Sequence, residues 1–342
     1  MDLYINSVGI ISGGGNNMSG KFLQEQPAYN ATTLPAAEPD YKEYIPVMQL
    51  RRMSKAVRMG VVAAKTAMQH AGAEKPDAIS VGTAYGCLQD TETFLCKMIE
   101  QDEQMLTPTA FIQSTHNTVS GQIALLAGCN GHNLTFVQRG HSFEQALINT
   151  MLYLDEHPGE LMLVGGIDEL TPTGTKVLQK SGLYTKQELS YNDILTGDND
   201  ATIGGEGAAF FSVTRQPLSG RYLKIEALEI FKAEQAVALE KIKAFVNNNG
   251  PCDVFISGMN GERRNRAFYQ KVKDEIFNAV PHAMFKHLCG EYPVSASFAI
   301  SMLFHGLPGC AYTGNIPSGI SSAILVNNHC DYYSCWKIQV AG

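Results

Sequence analysis

The sequence predicts an α/β fold composed of two duplicated halves. Segments in which apolar residues recur at helical spacing alternate with short apolar runs that are typical of buried strands. The same order of segments occurs twice along the chain, and each copy ends in a turn of small residues that leads into an apolar strand. Alternating strands and helices in two similar copies favour a duplicated α/β architecture.

The first elements of the two halves correspond closely. Residues 55–71 predict a long apolar helix that ends at Gly72, and residues 78–82 predict the strand that follows it. In the second half, residues 236–246 predict the helix and residues 254–258 predict the strand. The repeated order indicates a duplication, and a chance match of small residues is the alternative.

Later segments extend this correspondence to the end of each half. Apolar helices open with Val119-Ser120-Gly121 in the first half and with Val294-Ser295-Ala296 in the second. Turns of small residues at 204–207 and 318–321 then precede apolar strands. Each half is therefore expected to finish with a helix, a turn and a strand.

Two segments interrupt this regular order. Residues 13–50 are rich in Gly, Asn and Pro, and they predict a long irregular excursion that covers the core. Residues 217–221 form a turn-rich stretch between the two copies. We therefore expect an N-terminal half at residues 1–217 and a C-terminal half at residues 218–342.

The composition and charge are those of an ordinary globular protein. Hydrophobic residues make up 44% and charged residues 17% of the 342 residues, which is enough for a substantial core. The net charge of −7 argues against a nucleic-acid partner. The sequence has no signal-peptide pattern and no apolar run near the roughly 20 residues of a membrane span. We therefore expect a cytoplasmic protein without a membrane span.

The eight cysteines do not indicate a metal site or a disulfide framework. They are scattered along the chain and include no Cys-x-x-Cys pair. This distribution is typical of buried thiols in a reducing compartment. We expect neither a metal nor a cofactor.

The most informative segment, residues 134–166, predicts a strand, a tight turn, a helix and a second strand. The turn is Arg139-Gly140-His141, and the second strand is expected to end in Gly165-Gly166. Enzymes often place a nucleophile at a strand-to-helix turn, because the helix N-terminus lowers a thiol pKa and backbone N–H groups bind an oxyanion. Here the tip of the turn is Gly140, which has no side chain.

This segment resembles the nucleophile turn of the β-ketoacyl-acyl-carrier-protein synthases, in the thiolase superfamily. In that family a cysteine begins the helix, and the family spacing counted back from Gly165 places the cysteine position on Gly140. Other segments resemble the family in the same order: residues 4–15, 51–72, 107–121 and 205–209. The resemblance implies a thiolase-like fold, in which duplicated βαβαβαββ halves form an αβαβα layered sandwich.

The resemblance also implies a catalytic lysine and two histidines that stabilise an enolate. The first histidine position falls on Gly258, and the second follows Lys286 by five residues, where this chain has Glu291. A carboxylate there opposes an enolate, so we expect Glu291 to pair with Lys286. The family's C-terminal Gly-Phe-Gly-Gly turn is replaced at residues 317–320. Since the cysteine and both histidines are replaced together, we assign no catalytic residue.

Other reactive side chains lie close to these positions in the sequence. Gly140-x-Ser142 resembles part of a hydrolase elbow, but Glu144 takes the place of the last glycine of that motif. His141 is either a lone acid–base group or a residue bonded to backbone, and Glu144 is well placed for the helix dipole. Cys289 is expected to be an inert buried thiol, with acylation as the alternative. Glu291 with His287 or His141 forms a metal cluster only if folding joins them.

One subclass of the family resembles this pattern. Chain-length factors of type II polyketide systems, and similar subunits of aryl-polyene pathways, lack the cysteine and pair with an active synthase. They usually carry glutamine at the cysteine position, whereas this chain has Gly140, with Gln138 two residues earlier. The resemblance implies a non-catalytic subunit that pairs with a cysteine-bearing ketosynthase as a heterodimer, or forms a homodimer. The alternative is a diverged 3-oxoacyl-carrier-protein synthase, acyltransferase or decarboxylase that uses other groups.

Two sets of residues are implied to face partners. The first set is expected at the dimer interface and the partner's acyl tunnel, with ordinary dimer packing as the alternative: Phe111, Ile112, Gln113 and His116. The second set is expected to meet an acidic acyl carrier protein, with a solvated helix face as the alternative: Arg263, Arg264 and Arg266.

Overall fold

The computed structural model describes residues 2–20, 22–23, 28–313 and 319–341, without the side chains of residues 311 and 312. Within these ranges the main feature is a mixed sheet of twelve strands with helices packed against it. In chain order the strands are β1 (Leu3–Ser12), β2 (Gly15–Asn16), β3 (Asn30–Ala31), β4 (Thr33–Leu34), β5 (Ala78–Gly82), β6 (Asn133–Phe136), β7 (Met162–Asp168), β8 (Leu189–Ser190), β9 (Gly204–Gly205), β10 (Gly207–Thr214), β11 (Tyr222–Lys232), β12 (Val254–Ser257), β13 (His282–Met284), β14 (Ala311–Thr313), β15 (Ser322–His329) and β16 (Tyr332–Ala341).

The helices connect these strands. In chain order they are α1 (Val47–Leu50), α2 (Lys55–His70), α3 (Leu88–Glu100), α4 (Pro108–Gln113), α5 (Thr118–Ala127), α6 (Ser142–Glu156), α7 (Pro172–Lys180), α8 (Tyr191–Thr196), α9 (Gln235–Asn249), α10 (Arg263–Ile276), α11 (Lys286–Cys289) and α12 (Ala296–Phe304). Short 3₁₀ turns form at Tyr41–Glu43 and Arg139–His141.

The two halves have the same strand order, which confirms the predicted duplication. The first half is ordered β1-β10-β7-β5-β6, and the second is ordered β11-β16-β15-β12-β13. With β2 and β14 left out, and only the remaining strands of the large sheet counted within each half, each order is first, fifth, fourth, second, third. The directions also agree, since β5 and β12 each run parallel to both of their neighbours. Antiparallel pairing of β1 with β11 joins the halves into one sheet.

The helices pack against the sheet in layers, because they cover its apolar faces. The side chains of α6 and α12 pack together between the two halves, in one cluster with residues such as Val164 of β7 and Leu325 of β15. The helices α2 and α5 cover the outer face of the first half, and α9 and α10 cover the outer face of the second. The result is the predicted αβαβα layered sandwich. The proposed division after residue 217 falls between β10 and β11.

Two details differ from the sequence prediction. The strand β7 does not end at Gly165-Gly166 but continues to Asp168, because β5 and β10 pair with it on both sides. Gly165 has no Cβ because the Phe210 ring takes that space, 2.3 Å from where a Cβ would lie. Residues 13–50 are not wholly irregular, since β2, β3, β4, a 3₁₀ turn and α1 lie there.

Residues 317 and 318 of the replaced C-terminal turn lie outside the described residues. Within the described ranges, the structure contains no helix with the length and apolarity that crossing a membrane demands.

Candidate functional site

The turn before α6 has no room for a nucleophile. Gly140 is buried, and a Cβ on it would lie 2.8 Å from the Cβ of His329 and 3.0 Å from the Cβ of Tyr332. Contacts this short between carbon atoms do not occur without a shift of the structure. The turn between β15 and β16 therefore occupies the space that a cysteine side chain needs.

The polar residues beside Gly140 are committed to backbone groups. Ser142 Oγ donates to the carbonyl of Arg139 at 2.8 Å and accepts from the N–H of Gln138 at 2.9 Å. His141 Nε2 bonds the carbonyl of Tyr333 at 3.0 Å, and burial lowers the pKa of this imidazole. His141 is thus the backbone-bonded residue of the two predicted alternatives, and Ser142 has no base within hydrogen-bonding distance among the described residues.

Gly258, the expected first histidine position, is also closely surrounded. A Cβ on Gly258 would lie 2.5 Å from Asn327 Oδ1 and 3.0 Å from the hydroxyl of Tyr269. The N–H of Gly258 donates to the carbonyl of Val326 at 2.9 Å, which fixes the backbone close to β15. Glycine is therefore required by the close approach of neighbouring side chains.

Glu291, at the expected second histidine position, is a buried carboxylate with three side-chain donors. Glu291 accepts hydrogen bonds from Lys286 Nζ at 2.7 Å, Asn260 Nδ2 at 2.9 Å and His329 Nδ1 at 3.0 Å. Only 2% of Glu291 and 1% of Lys286 is exposed. Burial by itself raises the pKa of the Glu291 carboxyl, but the Lys286 charge and the His329 hydrogen bond outweigh it and hold the pKa below its usual range. The expected pairing of Glu291 with Lys286 is present.

The hydrogen bonds continue from Lys286 into α10. Lys286 Nζ also donates to the carbonyl of Asn328 at 2.7 Å. The side-chain oxygen of Asn328 accepts from Tyr269 at 2.9 Å and from Asn265 at 3.1 Å. We call Asn260, Asn265, Tyr269, Lys286, Glu291, Asn328 and His329 the polar cluster. Most of its side-chain hydrogen bonds join members of the polar cluster to each other.

The sequence did not point to His329, Asn260 or Asn328. None of them belongs to a recognisable motif, and His329 reaches Glu291 only because the β15–β16 turn folds against the polar cluster. The only local signal is that His329 ends a largely apolar strand, β15, where a polar side chain can reach groups beyond the end of that strand.

Burial shifts the pKa values of two cysteines and a histidine near the site. Burial raises the pKa of Cys289 well above its ordinary value, and burial raises that of Cys330 to about 11. His287 bonds the carbonyl of Gly309 rather than Glu291, and burial lowers its pKa to about 4. No group of three or more His, Cys, Asp and Glu side chains in the described ranges is arranged to hold a metal ion.

Glu144 lies in the first turn of α6, as predicted, and it is fully buried. Neither carboxylate oxygen makes a hydrogen bond of good geometry. Burial raises the pKa of this carboxyl to about 7, and the nearby Ser334 hydroxyl and Lys286 charge offset only part of the rise.

The expected tunnel and interface residues lie on and after α4. Phe111 is 58% exposed and Ile112 is 62% exposed, so this apolar pair faces solvent in the single chain. The Gln113 side chain instead bonds the carbonyl of Arg52 at 2.9 Å. His116 is exposed and lies against Gly86, whose φ is +64°.

The three arginines expected to meet a carrier protein have different surroundings. Arg263 is paired within the chain, with Asp198 at 2.7 Å and Asp200 at 3.1 Å. The Arg266 side chain packs against Gly197, and Arg264 borders a cavity of about 600 Å³ that reaches Glu291. Arg263 therefore carries a neutralised charge.

The chain matches a known protein family. The family model for the β-ketoacyl synthase N-terminal domain matches residues 24–196, half of the chain. None of the curated protein sequences matches the chain.

Solved structures share the fold over nearly the whole chain. A chain of the ishigamide ketosynthase/chain length factor has a TM-score of 0.78 at 13% identity, covering 100% of this chain and 99% of that chain. The ketosynthase ApeO in complex with its chain length factor ApeC from Xenorhabdus doucetiae has a TM-score of 0.74 at 15% identity, covering 99% of this chain and 98% of that chain. The AntDE:AntF complex of a type II polyketide acyl-carrier protein with its ketosynthase has a TM-score of 0.74 at 16% identity, covering 99% of this chain and 99% of that chain.

Replacing Gly140 with alanine should destabilise the protein by about 1–3 kcal/mol, because the added Cβ overlaps His329 and Tyr332. Gly159→Ala is the control, since nothing lies within 4 Å of its Cβ position, and it should change stability by less than about 0.5 kcal/mol. Urea unfolding followed by fluorescence of the single tryptophan, Trp336, measures both. Equal stability of the two variants would contradict a filled nucleophile position.

Glu291→Gln should destabilise the protein by about 3–5 kcal/mol, because it leaves the buried Lys286 ammonium without its counter-charge. Adding Lys286→Met removes the unpaired charge, so the double variant should lose less than the sum of the two single losses. The control is Glu240→Gln, which breaks an exposed pair with Lys243 and should cost at most about 0.5 kcal/mol. A double-mutant cycle by urea unfolding checks this, and additive losses would argue against coupling.

Glu144→Gln should stabilise the protein at pH 8 by about 1–3 kcal/mol, since a buried charge without hydrogen bonds is replaced by a neutral side chain. The pKa is raised on folding, so the folded chain holds more protons than the unfolded chain between about pH 4.5 and 7. The free energy of unfolding therefore falls as pH rises through that window. The variant should show a shallower fall, whereas Glu156→Gln, exposed on the same helix, should keep the wild-type slope.

Proposed function

Because the chain belongs to the β-ketoacyl synthase family, we propose that it is a non-catalytic, chain-length-factor-like subunit that pairs with a cysteine-bearing ketosynthase in acyl chain elongation. The filled nucleophile position is the observation that carries this proposal. His329 and Tyr332 occupy the space in which a catalytic side chain at residue 140 would act. The chain thus keeps the fold of a condensing enzyme without a place for its covalent intermediate.

The polar cluster supports the same conclusion. Enolate stabilisation needs positive charge or free hydrogen-bond donors aimed at the developing oxyanion. Here the Lys286 ammonium is bound to Glu291 and to the carbonyl of Asn328. The lowered pKa of Glu291 keeps a negative charge at the position where the reaction needs a donor. We infer that the polar cluster stabilises the fold.

The sheet edge supports a partner. The strand β6 lies at one end of the sheet, where its outer backbone groups are free to pair with another chain. Exposed apolar side chains surround this edge, with Leu134 43% exposed, Val137 46% exposed and Leu125 of α5 74% exposed. Exposed apolar surface of this kind marks protein–protein interfaces. The partner in this proposal is a ketosynthase, and a second copy of this chain is the alternative.

The similar solved structures indicate which partners are reasonable. Two of them are described as a ketosynthase with a chain length factor, and a third contains an acyl-carrier protein with its ketosynthase. In this proposal Phe111 and Ile112 face the partner's acyl tunnel. Arg264 and Arg266 are the cations left for an acidic carrier protein, because Arg263 is paired with two aspartates.

A diverged enzyme was the alternative prediction from the sequence. Such an enzyme needs a nucleophile activated by a base or by a lowered pKa. Ser142 is bonded only to backbone, and the pKa values of Cys289 and Cys330 are raised by burial. No contact within the described residues favours this alternative.

Co-expression with a cysteine-bearing ketosynthase and a carrier protein from the same gene neighbourhood should yield a stable complex with the ketosynthase. Replacing Leu134 and Val137 with glutamate should abolish that complex, because charges are placed in a buried apolar interface. The control is Val237→Glu, which is equally exposed on α9 and should leave the complex intact. Size-exclusion chromatography measures the result.

Intact mass spectrometry of the reconstituted complex tests the absence of catalysis. After incubation with acylated carrier protein, the acyl adduct should appear on the ketosynthase alone, and an adduct on this chain would overturn the proposal. Within the complex, replacing Phe111 and Ile112 with alanine should lengthen the product, since both side chains are expected to cap the tunnel. Unchanged product length would remove the gating role and leave the pairing intact.

A further inference from the structure

A cavity opens on the outer face of the first half, between α2, α5 and the segment at residues 44–49. Its volume is about 490 Å³, within the range of about 300–1,000 Å³ that is typical of small-molecule sites. It lies on the opposite side of the first-half sheet from the nucleophile turn, because α2 and α5 cover the outer face and α6 packs between the halves. Nothing in the proposed function uses this cavity.

The floor of the cavity is apolar and reaches the sheet. Val61 and Met68 of α2 and Ile123 of α5 line it, and each of these residues is at most 5% exposed. The lining extends to Leu163 of β7, which is fully buried, so the cavity passes between the two helices as far as the sheet. A space with these walls favours an apolar group, because the group leaves water when it enters.

Two opposite charges stand at the solvent side of the cavity. Lys65 and Glu74 both line it, and both are exposed. Lys65 Nζ donates to the carbonyl of Tyr44 at 3.0 Å, which leaves two further N–H donors on the ammonium group. Within the described part of the chain, neither Lys65 nor Glu74 makes an ion pair, and the Glu74 side chain makes no hydrogen bond.

Two amide side chains complete the mouth of the cavity. Gln49 of α1 and Gln69 of α2 line it, are exposed, and make no side-chain hydrogen bond to another described residue. An amide supplies both donors and acceptors. The mouth therefore offers one cation, one anion and two amides above an apolar floor.

The kind of ligand follows from this combination. A ligand with a single charge can pair with only one of Lys65 and Glu74, and an uncharged ligand pairs with neither. A zwitterion offers a carboxylate to the ammonium group of Lys65 and an ammonium group to the carboxylate of Glu74. If the zwitterion also carries an apolar side chain, that side chain matches the floor.

We propose that this cavity binds a free amino acid with a large apolar side chain. The α-carboxylate accepts from Lys65 Nζ, the α-ammonium group donates to Glu74, and the side chain enters between α2 and α5. Since Lys65 and Glu74 are exposed, each charge pair contributes modestly, and burial of the side chain supplies most of the affinity. The argument uses neither the nucleophile turn, the polar cluster nor the sheet edge, so the site is independent of the proposed function.

Isothermal titration calorimetry on the isolated chain at about pH 7.5 tests the proposal, with phenylalanine as the probe. Phenethylamine lacks the carboxylate and 3-phenylpropionate lacks the ammonium group, so each should bind at least about threefold more weakly. Glycine keeps both charges without the apolar side chain, and it should bind at least about tenfold more weakly.

Two variants assign the charges. Lys65→Met should weaken phenylalanine binding at least about threefold and should not weaken phenethylamine binding, because phenethylamine has no carboxylate. Glu74→Gln should weaken phenylalanine binding to a similar extent and should not weaken 3-phenylpropionate binding. Both side chains are exposed, so both variants should fold, which circular dichroism checks. The matched controls Lys97→Met and Glu100→Gln, exposed on α3 outside the cavity, should bind like the wild type.

A third variant tests the position of the apolar side chain. Ala127, the last residue of α5, lines the cavity and is partly exposed. Ala127→Phe places a ring in the space that the ligand side chain needs, so it should weaken phenylalanine binding at least about tenfold.

Several results would overturn the proposal. They are no phenylalanine binding to the wild type, undiminished binding to the Lys65→Met, Glu74→Gln or Ala127→Phe variant, and tighter binding of either single-charge analogue or of glycine. The complex with a ketosynthase is measured separately by size-exclusion chromatography, so failure here and failure of the proposed function are distinguishable.

Discussion

The buried carboxylate of Glu291 requires hydrogen-bond donors in place of water, and three separate segments of the second half supply them. Lys286 from α11, Asn260 after β12 and His329 at the end of β15 each donate to it. Holding His329 also positions the turn between β15 and β16, and that turn fills the space beside Gly140. The buried carboxylate is therefore structurally connected to the filled space beside Gly140.

The fold was predictable because the residues that specify it form patterns along the chain. Glycines at close approaches, apolar helices and apolar strands recur in the same order in both halves, and the observed strand orders of the halves are identical. The sequence prediction is wrong about the end of β7, since the strand continues beyond Gly165-Gly166 to Asp168. These glycines instead make room for the Phe210 ring on the neighbouring strand, which no pattern along β7 alone reveals.

The candidate site was predictable only in part. A missing side chain can be seen at Gly140 and Gly258, and opposite charges five residues apart suggested the pair of Lys286 with Glu291. What fills a vacated position depends on distant segments, so His329 could not be identified beforehand. The ion-pair partners of charged residues could not be identified from the sequence either. Arg263 seemed available to a carrier protein, but Asp198 and Asp200 lie beside it in space, and Glu144 proved to be enclosed by the core.

The pairing of β1 with β10 and β11 has a consequence for biosynthesis. The strand β1 is translated long before β10 and β11, and α2 can cover one of its faces early, through the close approach of Gly9 to the backbone of α2. Its edges must wait, because Tyr4 pairs with Thr214 and Leu3 pairs with Ile225. The first half cannot complete its sheet until β10 has been translated. Until then a nascent chain of this architecture exposes unpaired strand edges, which are sites of aggregation.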